Sequence, residues 1–404
     1  MMWKFVLISL ALVELSSSWP QYHGKENLDE LMKEFFGDNL EGKPSYVSEV
    51  EETVEGEEND LDLHEDTKWN VPSGEVGGLA VDRNGLLGVF HRAERIWKLD
   101  DFSKNGTYLK KNEGPISSPT LMVVDPSGKI LKSFGENEYY MPHGLTIDKD
   151  GNYWLTDVAR HQVFKINKGE EKPTLTLGTA FVPAKDNQDL KNFCKPTDVA
   201  VASNGEFFVS DGYCNSRVLK YSPDGNLIGI IGEGDFAIPH SLAINEDLDI
   251  ICVADREHER ITCYKAGIRD KAYTGLKIGQ INENVGRVFA IEFGSNGRLY
   301  AVSGNSERLA PIGMTIELGE DERGVWSYGI VSLWSPEKKF QSPHDLAVSL
   351  DESSVYVGEL KTEAGSKNLH KLTHKAVVFK DVLLNDNGKI KEEQDMEIVK
   401  KSYM

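Results

Sequence analysis

The sequence predicts an all-β fold, a six-bladed β-propeller. Three observations predict it: six matched apolar strands, a turn signal behind each, and a spacing that suits one blade per copy. The recurring strand reads Gly78-Leu79-Ala80-Val81-Asp82, Gly144-Leu145-Thr146-Ile147-Asp148 and Asp198-Val199-Ala200-Val201. It returns as Ser241-Leu242-Ala243-Ile244, Phe289-Ala290-Ile291-Glu292 and Asp345-Leu346-Ala347-Val348. The copies recur every roughly 40 to 65 residues, the size of a four-stranded blade. A β-sandwich does not call for six matched units.

Each copy leads into a turn and a second strand. Asp150-Gly151-Asn152 precedes Tyr153-Trp154-Leu155-Thr156-Asp157, and Asn204-Gly205 precedes Phe207-Phe208-Val209-Ser210-Asp211. Asn-Gly and Asp-Gly tolerate positive φ and so suit tight hairpins. Third strands follow at Gln162–Ile166 and Arg217–Tyr221. A fourth is plain only in some blades, as at Asn226–Ile231. Closing such blades in a ring leaves few exposed edges.

The flanks differ from this pattern. Lys4, the apolar run Phe5–Val13 and the small residues Ser16-Ser17-Ser18 read as a signal peptide over residues 1–18. No run reaches membrane length. Residues 25–66 hold sixteen acidic and three basic side chains, within a chain net charge of −20. Like charge at that density resists compaction, so residues 19–68 are expected to be a disordered acidic propeptide or N-terminal segment. The propeller is expected over 69–385, with a polar tail at 386–404. The acidic balance and the lack of a basic patch exclude nucleic-acid binding as the expected role. The expected protein is secreted or held in the lumen of secretory granules, without a membrane anchor, and monomeric.

The four cysteines, Cys194, Cys214, Cys252 and Cys263, contain no CxxC unit. An even number behind a signal peptide favours disulfides over a cysteine metal site. Cys252 and Cys263 flank one hairpin turn. A Cys194–Cys214 bridge would pin the turn holding Tyr213 to the entrance of its own blade. The sequence itself leaves the connectivity open. Asn105-Gly106-Thr107 is a glycosylation acceptor tripeptide, with Asn105 as the site.

The repeat register locates the chemistry. The position two before each strand's leading apolar residue is Gly77, His143, Thr197, His240, Arg287 and His344 in blades one to six. Histidine therefore occupies one register position in blades two, four and six. Alternate blades of a ring place such residues at threefold spacing around the axis. Three imidazoles and an open fourth position form the ligand set of a catalytic zinc. A proline precedes each: Pro142, Pro239 and Pro343. It removes backbone freedom at the strand entry.

The turn after the second strand faces the same end of the propeller. It holds His91-Arg92-Ala93-Glu94, Val158-Ala159-Arg160-His161, Gly212-Tyr213-Cys214-Asn215 and Arg256-Glu257-His258-Glu259. Arg92, Tyr213 and Arg256 are thus expected to overhang the histidines. Arginine offers a donor fork that matches a carboxylate. A tyrosine close to cations can accept a proton. His161 and His258 have no matching set and are expected to face solvent or to support the site.

Several runs carry a family resemblance: Met141-Pro142-His143-Gly144-Leu145, Cys194-Lys195-Pro196-Thr197-Asp198-Val199 and Asp211-Gly212-Tyr213-Cys214-Asn215-Ser216-Arg217. Ile238-Pro239-His240-Ser241-Leu242, Val253-Ala254-Asp255-Arg256-Glu257 and Pro343-His344-Asp345 join them. From Gly74 to Thr373 the chain resembles the peptidyl-α-hydroxyglycine α-amidating lyases, built on NHL-type repeats.

The resemblance implies a zinc-dependent lyase that splits a peptidyl-α-hydroxyglycine into a peptide amide and glyoxylate. It implies zinc on His143, His240 and His344. It also implies a structural calcium in the central channel, on the backbone of Leu79 and Leu145 and the side chain of Asp345. Arg92 and Tyr213 take the active-site roles, with Arg256 on the substrate side, and the disulfides are Cys194–Cys214 and Cys252–Cys263. The substrate would come from a separate hydroxylating monooxygenase. Two departures stand out. Ser342 replaces the methionine of vertebrate relatives before the last Pro-His-Asp, and residues 304–334 match poorly and are expected to form a loop. The alternative is a non-enzymatic secreted NHL propeller that binds a protein partner.

Overall fold

The computed structural model describes residues 62–320, 326–360 and 367–374. The expected signal peptide, most of the acidic segment and the C-terminal tail lie outside the described residues. Six separate four-stranded antiparallel sheets form the six blades of a propeller. Strand β1 (Leu63–Glu65) comes first. Blade one is β2 (Val76–Val81), β3 (Leu87–His91), β4 (Leu121–Val124) and β5 (Ile130–Phe134). Blade two is β6 (Pro142–Ile147), β7 (Tyr153–Asp157), β8 (Gln162–Ile166) and β9 (Leu175–Leu177). Blade three is β10 (Pro196–Val201), β11 (Phe207–Asp211), β12 (Arg217–Tyr221) and β13 (Leu227–Ile231). Blade four is β14 (Pro239–Asn245), β15 (Ile250–Asp255), β16 (Arg260–Lys265) and β17 (Lys277–Ile281). Blade five is β18 (Arg287–Phe293), β19 (Leu299–Gly304), β20 (Ile312–Glu320) and β21 (Trp326–Trp334). Blade six is β22 (Pro343–Val348), β23 (Ser354–Glu359) and β24 (Leu369–His374), completed by β1. No helix among the described residues is long and apolar enough to cross a membrane.

Blade six closes the ring with strands from both ends of the propeller. Leu63 pairs with His374 and Glu65 with Leu372. The sequence boundary at residue 69 therefore falls too late. Leu63 is buried among Val302, Leu346 and Leu372, and that apolar contact holds a strand whose neighbours in sequence are mostly acidic. Within the expected loop at 304–334, β20 and β21 instead pair antiparallel, with Gly313 opposite Trp334.

The core is divided into slices, one between each neighbouring pair of blades. Phe90 and Phe134 of blade one meet Leu155 and Phe164 of blade two. Ile261 and Ala254 of blade four meet Leu299 and Met314 of blade five. Alternation at period two puts one face of each strand in each slice. Burial between sheets, rather than one central core, is what stabilises a ring of this kind.

Every inner strand carries an irregularity where it nears the axis. The register shifts between Val76 and Gly78, Pro142 and Leu145, Pro196 and Asp198, Pro239 and Ser241, Val288 and Ala290, and Pro343 and Asp345. A bulge turns one side chain away from the sheet's alternation. Here the turned residues are Gly77, His143, Thr197, His240, Phe289 and His344. Blade five therefore contributes Phe289, not the Arg287 read from the sequence. Val288 to Ile291 is a continuous apolar run, and it hid a two-residue slip. Space at the axis is tight. A Cβ on Gly144 would stand 2.5 Å from Thr197 O.

An acidic residue ends the second strand in four blades and fixes the segment leading into the inner strand of its own blade. Asp157 accepts from the N–H of Tyr140 (2.6 Å), Asp211 from Cys194 (2.7 Å), Asp255 from Ala237 (2.6 Å) and Glu359 from Ser342 (2.6 Å). In blade one His91 Nδ1 takes this place, accepting from Gly74 N at 3.2 Å. Burial lowers its pKa to about 4, so it is neutral and able to accept. Asp211 is itself fully buried and held by Arg217, whose Nη2 lies 2.9 Å away. Replacing Arg217 by leucine leaves that carboxylate unpaired. The expected loss is about 3–5 kcal/mol in urea unfolding, and a loss within experimental error would contradict this account.

The ring closure contains a second buried ionic cluster. His370 Nδ1 lies 3.0 Å from Glu65 of β1, and Nε2 lies 2.9 Å from Glu359. Carboxylate oxygens accept only, so both ring nitrogens donate and the ring is charged. Burial opposes that charge, and the hydrogen bonds to Glu359 and Glu65 outweigh it, raising the pKa above 6.5. The stabilisation is thus complete below pH 6.5 and is lost as pH rises through the folded value. Urea unfolding of the protein and of His370→Gln should differ most at acid pH and converge as pH rises. A difference independent of pH would contradict this.

Candidate metal centre and active site

The three bulge histidines converge on the axis. Their ring centroids stand 4.9 Å (His143–His240), 4.6 Å (His143–His344) and 4.9 Å (His240–His344) apart. All three rings are buried, and one ring nitrogen of each lies within 4.8 Å of the others. The three could hold a metal ion.

Hydrogen bonds set which nitrogen faces the axis. His143 Nδ1 is 2.8 Å from Thr197 O, His240 Nδ1 is 2.7 Å from Phe289 O, and His344 Nδ1 is 3.0 Å from Gly77 O. A carbonyl only accepts, so Nδ1 carries the proton and Nε2 keeps a lone pair. Each histidine thus binds the bulge residue of the following blade. Burial is the main cause holding all three pKa values well below 6.5, and the charges of Arg92 and Arg256 add to it. The rings are neutral at pH 7, as metal ligation requires.

Tyr213 covers the trio. Its hydroxyl is 3.0 Å from His143 Nε2 and 3.2 Å from His240 Nε2. His344 Nε2 is buried and has no hydrogen-bond partner among the described residues. The turn holding Tyr213 is fixed by the Cys194–Cys214 disulfide. A loop from blade one presses on that bridge at Gly106, where a Cβ would stand 2.9 Å from Cys194 Sγ. The second disulfide, Cys252–Cys263, joins opposed residues of β15 and β16.

Two arginines flank the tyrosine. Arg92 is fully buried. Its Nε donates to Pro142 O (3.1 Å) and its Nη1 to Glu75 (2.8 Å), while Nη2 has no hydrogen-bond partner among the described residues. Arg256 lies over the rings of Tyr213 (5.3 Å) and Phe289 (4.9 Å). Glu257 binds Arg256 at 2.8 Å and also binds Arg287. Trp97 completes the wall, 5.2 Å from Tyr213 and under the Arg92 guanidinium at 5.0 Å.

The predicted site residues His143, His240, His344, Tyr213, Arg92 and Arg256 therefore meet at one end of the channel. Leu79, Leu145 and Asp345 line a cavity of about 170 Å³, and Asp345 also borders the three histidines. Asp198 and Glu292 line it too, and burial raises their pKa values to about 7 and about 8. Asp345 is raised as well, by burial and by Asp198. His161 is fully buried, not solvent-facing, and its Nδ1 accepts from Lys195 N at 3.0 Å. His258 is half-exposed and binds Asp255. Asn105 is exposed on the blade-one loop. Sequence reasoning missed Glu75, Trp97 and Phe289. Only Phe289 left a signal, as blade five's member of the bulge series.

Fold and site define a propeller of NHL repeats with an axial histidine centre. The NHL repeat model matches residues 139–166, 193–221 and 236–264. A probable peptidyl-alpha-hydroxyglycine alpha-amidating lyase of Caenorhabditis elegans is 37% identical, over 82% of this chain and 94% of that protein. Peptidyl-alpha-hydroxyglycine alpha-amidating lyase 2 of Drosophila melanogaster is 42% identical, over 72% of this chain and 69% of that protein. Peptidyl-glycine alpha-amidating monooxygenase A of Xenopus laevis is 44% identical over 76% of this chain, which spans only 33% of that longer protein. The chain belongs to the peptidyl-α-hydroxyglycine α-amidating lyase family. The names of these relatives tie them to peptide amidation.

The centre makes a direct prediction. Titration with Zn²⁺ should give one ion per chain. His240→Ala should weaken it by more than about 100-fold, beyond the 10–100-fold that loss of an outer partner costs. Unchanged binding in that variant would contradict a metal site that includes His240.

Proposed function

We propose that the chain cleaves peptidyl-α-hydroxyglycine to an amidated peptide and glyoxylate, with zinc on His143, His240 and His344. The observation that carries this is three neutral Nε2 lone pairs, one of them partnerless, beneath a tyrosine hydroxyl and between two arginines. A three-histidine nitrogen set with an open side suits zinc, which when bound supplies a Lewis acid for the substrate's oxygen.

The protein's own groups do the rest. An arginine holds the terminal carboxylate and fixes the reacting carbon. Arg92, with a buried free Nη2, and Arg256, stacked on Tyr213, are both within this role. Tyr213, acting as the phenolate, takes the proton of the substrate hydroxyl. The oxygen's electrons form the glyoxylate carbonyl, the C–N bond breaks, and its pair goes to the amide nitrogen. The proton returns to that nitrogen, so atoms and charge balance. Burial of the site keeps water from competing.

The channel suits a structural calcium. Hard cations take oxygen ligands, and the buried carboxylates of Asp345, Asp198 and Glu292 raise one another's need for a positive charge. Leu79 and Leu145 line the same cavity and offer backbone carbonyls. The reading includes secretion, with residues 1–18 as signal peptide, and substrate supplied by a separate hydroxylating monooxygenase.

Glyoxylate release from a synthetic α-hydroxyglycine peptide tests the reaction. It should vanish with a chelator and return with zinc. Tyr213→Phe should keep its zinc and lose about 10²–10⁴-fold in kcat. Folded, zinc-loaded protein that releases no glyoxylate would leave the binding propeller as the better reading.

A further inference from the structure

Blade one departs from blades two, three and four in the length of one connection. The connection between second and third strands is short in blades two, three and four, at residues 158–161, 212–216 and 256–259. In blade one it runs over residues 92–120. A long ordered connection on a rigid scaffold is a usual carrier of recognition. This one carries a series of aromatic residues that begins beside the metal centre.

The rings form a continuous path. Trp97 lies 5.2 Å from Tyr213 and 6.4 Å from His143. Phe102 lies 5.3 Å beyond Trp97, tilted at 48°. Tyr108 follows at 5.3 Å. Trp97 and Phe102 are only half-buried. On the same connection, Ile96 beside Trp97 and Leu109 beside Tyr108 are exposed by 54% and 58%. Large apolar side chains grouped at the mouth of a site mark a binding surface.

We propose that the Trp97–Phe102 ledge is the subsite for the side chain immediately before the hydroxyglycine, and that it selects aromatic and large apolar residues there. The proposal rests on the lyase reading above. With the hydroxyglycine beneath Tyr213, the preceding Cα lies one step of about 3.8 Å away. Its side chain then reaches Trp97 first and Phe102 next. Tilted rings offer edges and faces to a third aromatic ring.

Charge sharpens the choice. Arg92 lies over Trp97 at 5.0 Å, and Lys195 Nζ lies 4.7 Å from Phe102 and 5.5 Å from Tyr213. Arg95 stands 6.0 Å from the ring of Tyr140. A basic side chain entering this ledge meets like charge on several sides. An acidic one would seek Lys195 and leave the rings uncovered.

The test uses the full-length, zinc-loaded protein and four N-acyl dipeptides ending in α-hydroxyglycine, with Phe, Ala, Asp or Lys in front. The expected order is Phe first and Lys last. Phe should exceed Ala by about 10- to 100-fold in kcat/KM, the range that apolar pockets discriminate, and the difference should lie in KM. Trp97→Ala and, independently, Phe102→Ala should each reduce the Phe-to-Ala ratio. Phe and Ala cleaved within twofold of each other, a preference for Asp, or an unchanged ratio in Phe102→Ala would overturn the subsite while leaving the lyase intact. Failure of the wild type to cleave any of the four would remove the lyase reading itself.

Discussion

The structure depends on one repeated hydrogen bond, from a histidine Nδ1–H to the backbone carbonyl of the next blade. It occurs at His143–Thr197, His240–Phe289 and His344–Gly77. Each bond ties an even blade to the odd blade after it, so the ring's closure and the centre's geometry are one constraint. Each also fixes a tautomer, leaving Nε2 bare at the axis. Backbone acceptors cannot be lost by a side-chain substitution. The trio is therefore oriented by the fold itself.

Bulges and acidic anchors make that bond possible. Without the register shift, a histidine in the inner strand would follow the sheet's alternation into an interblade core slice. Without Asp157, Asp255 or Glu359, the segments before the three Pro-His steps would lose the carboxylates that hold their N–H groups. Burial then keeps the imidazoles neutral. The same burial raises the channel carboxylates. One axis thus holds a nitrogen set at one end and an oxygen set deeper in.

Much of this was legible in the sequence because a propeller repeats. Repetition made Pro142-His143, Pro239-His240 and Pro343-His344 comparable, and their register alone predicted convergence. Where the repeat weakens, the reading failed for physical reasons. Phe289 stands in an apolar run that gives no register, so Arg287 took its place. Leu63–Glu65 is a strand because of one buried leucine and a closing partner far along the chain, neither visible in an acidic stretch. Residues 312–320 and 326–334 form strands that outrun the usual blade length, and so resembled a loop. Glu75 and Trp97 act through a tertiary approach to Arg92 and Tyr213 that no local pattern encodes. For His161 the turn left two places open, facing solvent or supporting the site, and it is buried and accepts from Lys195 N.

Anomalous diffraction at the zinc edge, on crystals of active protein, tests the central claim most directly. The account predicts one strong peak on the propeller axis, bonded to Nε2 of His143, His240 and His344, with each Nδ1 still on its carbonyl. A peak elsewhere, or ligation through Nδ1, would contradict it.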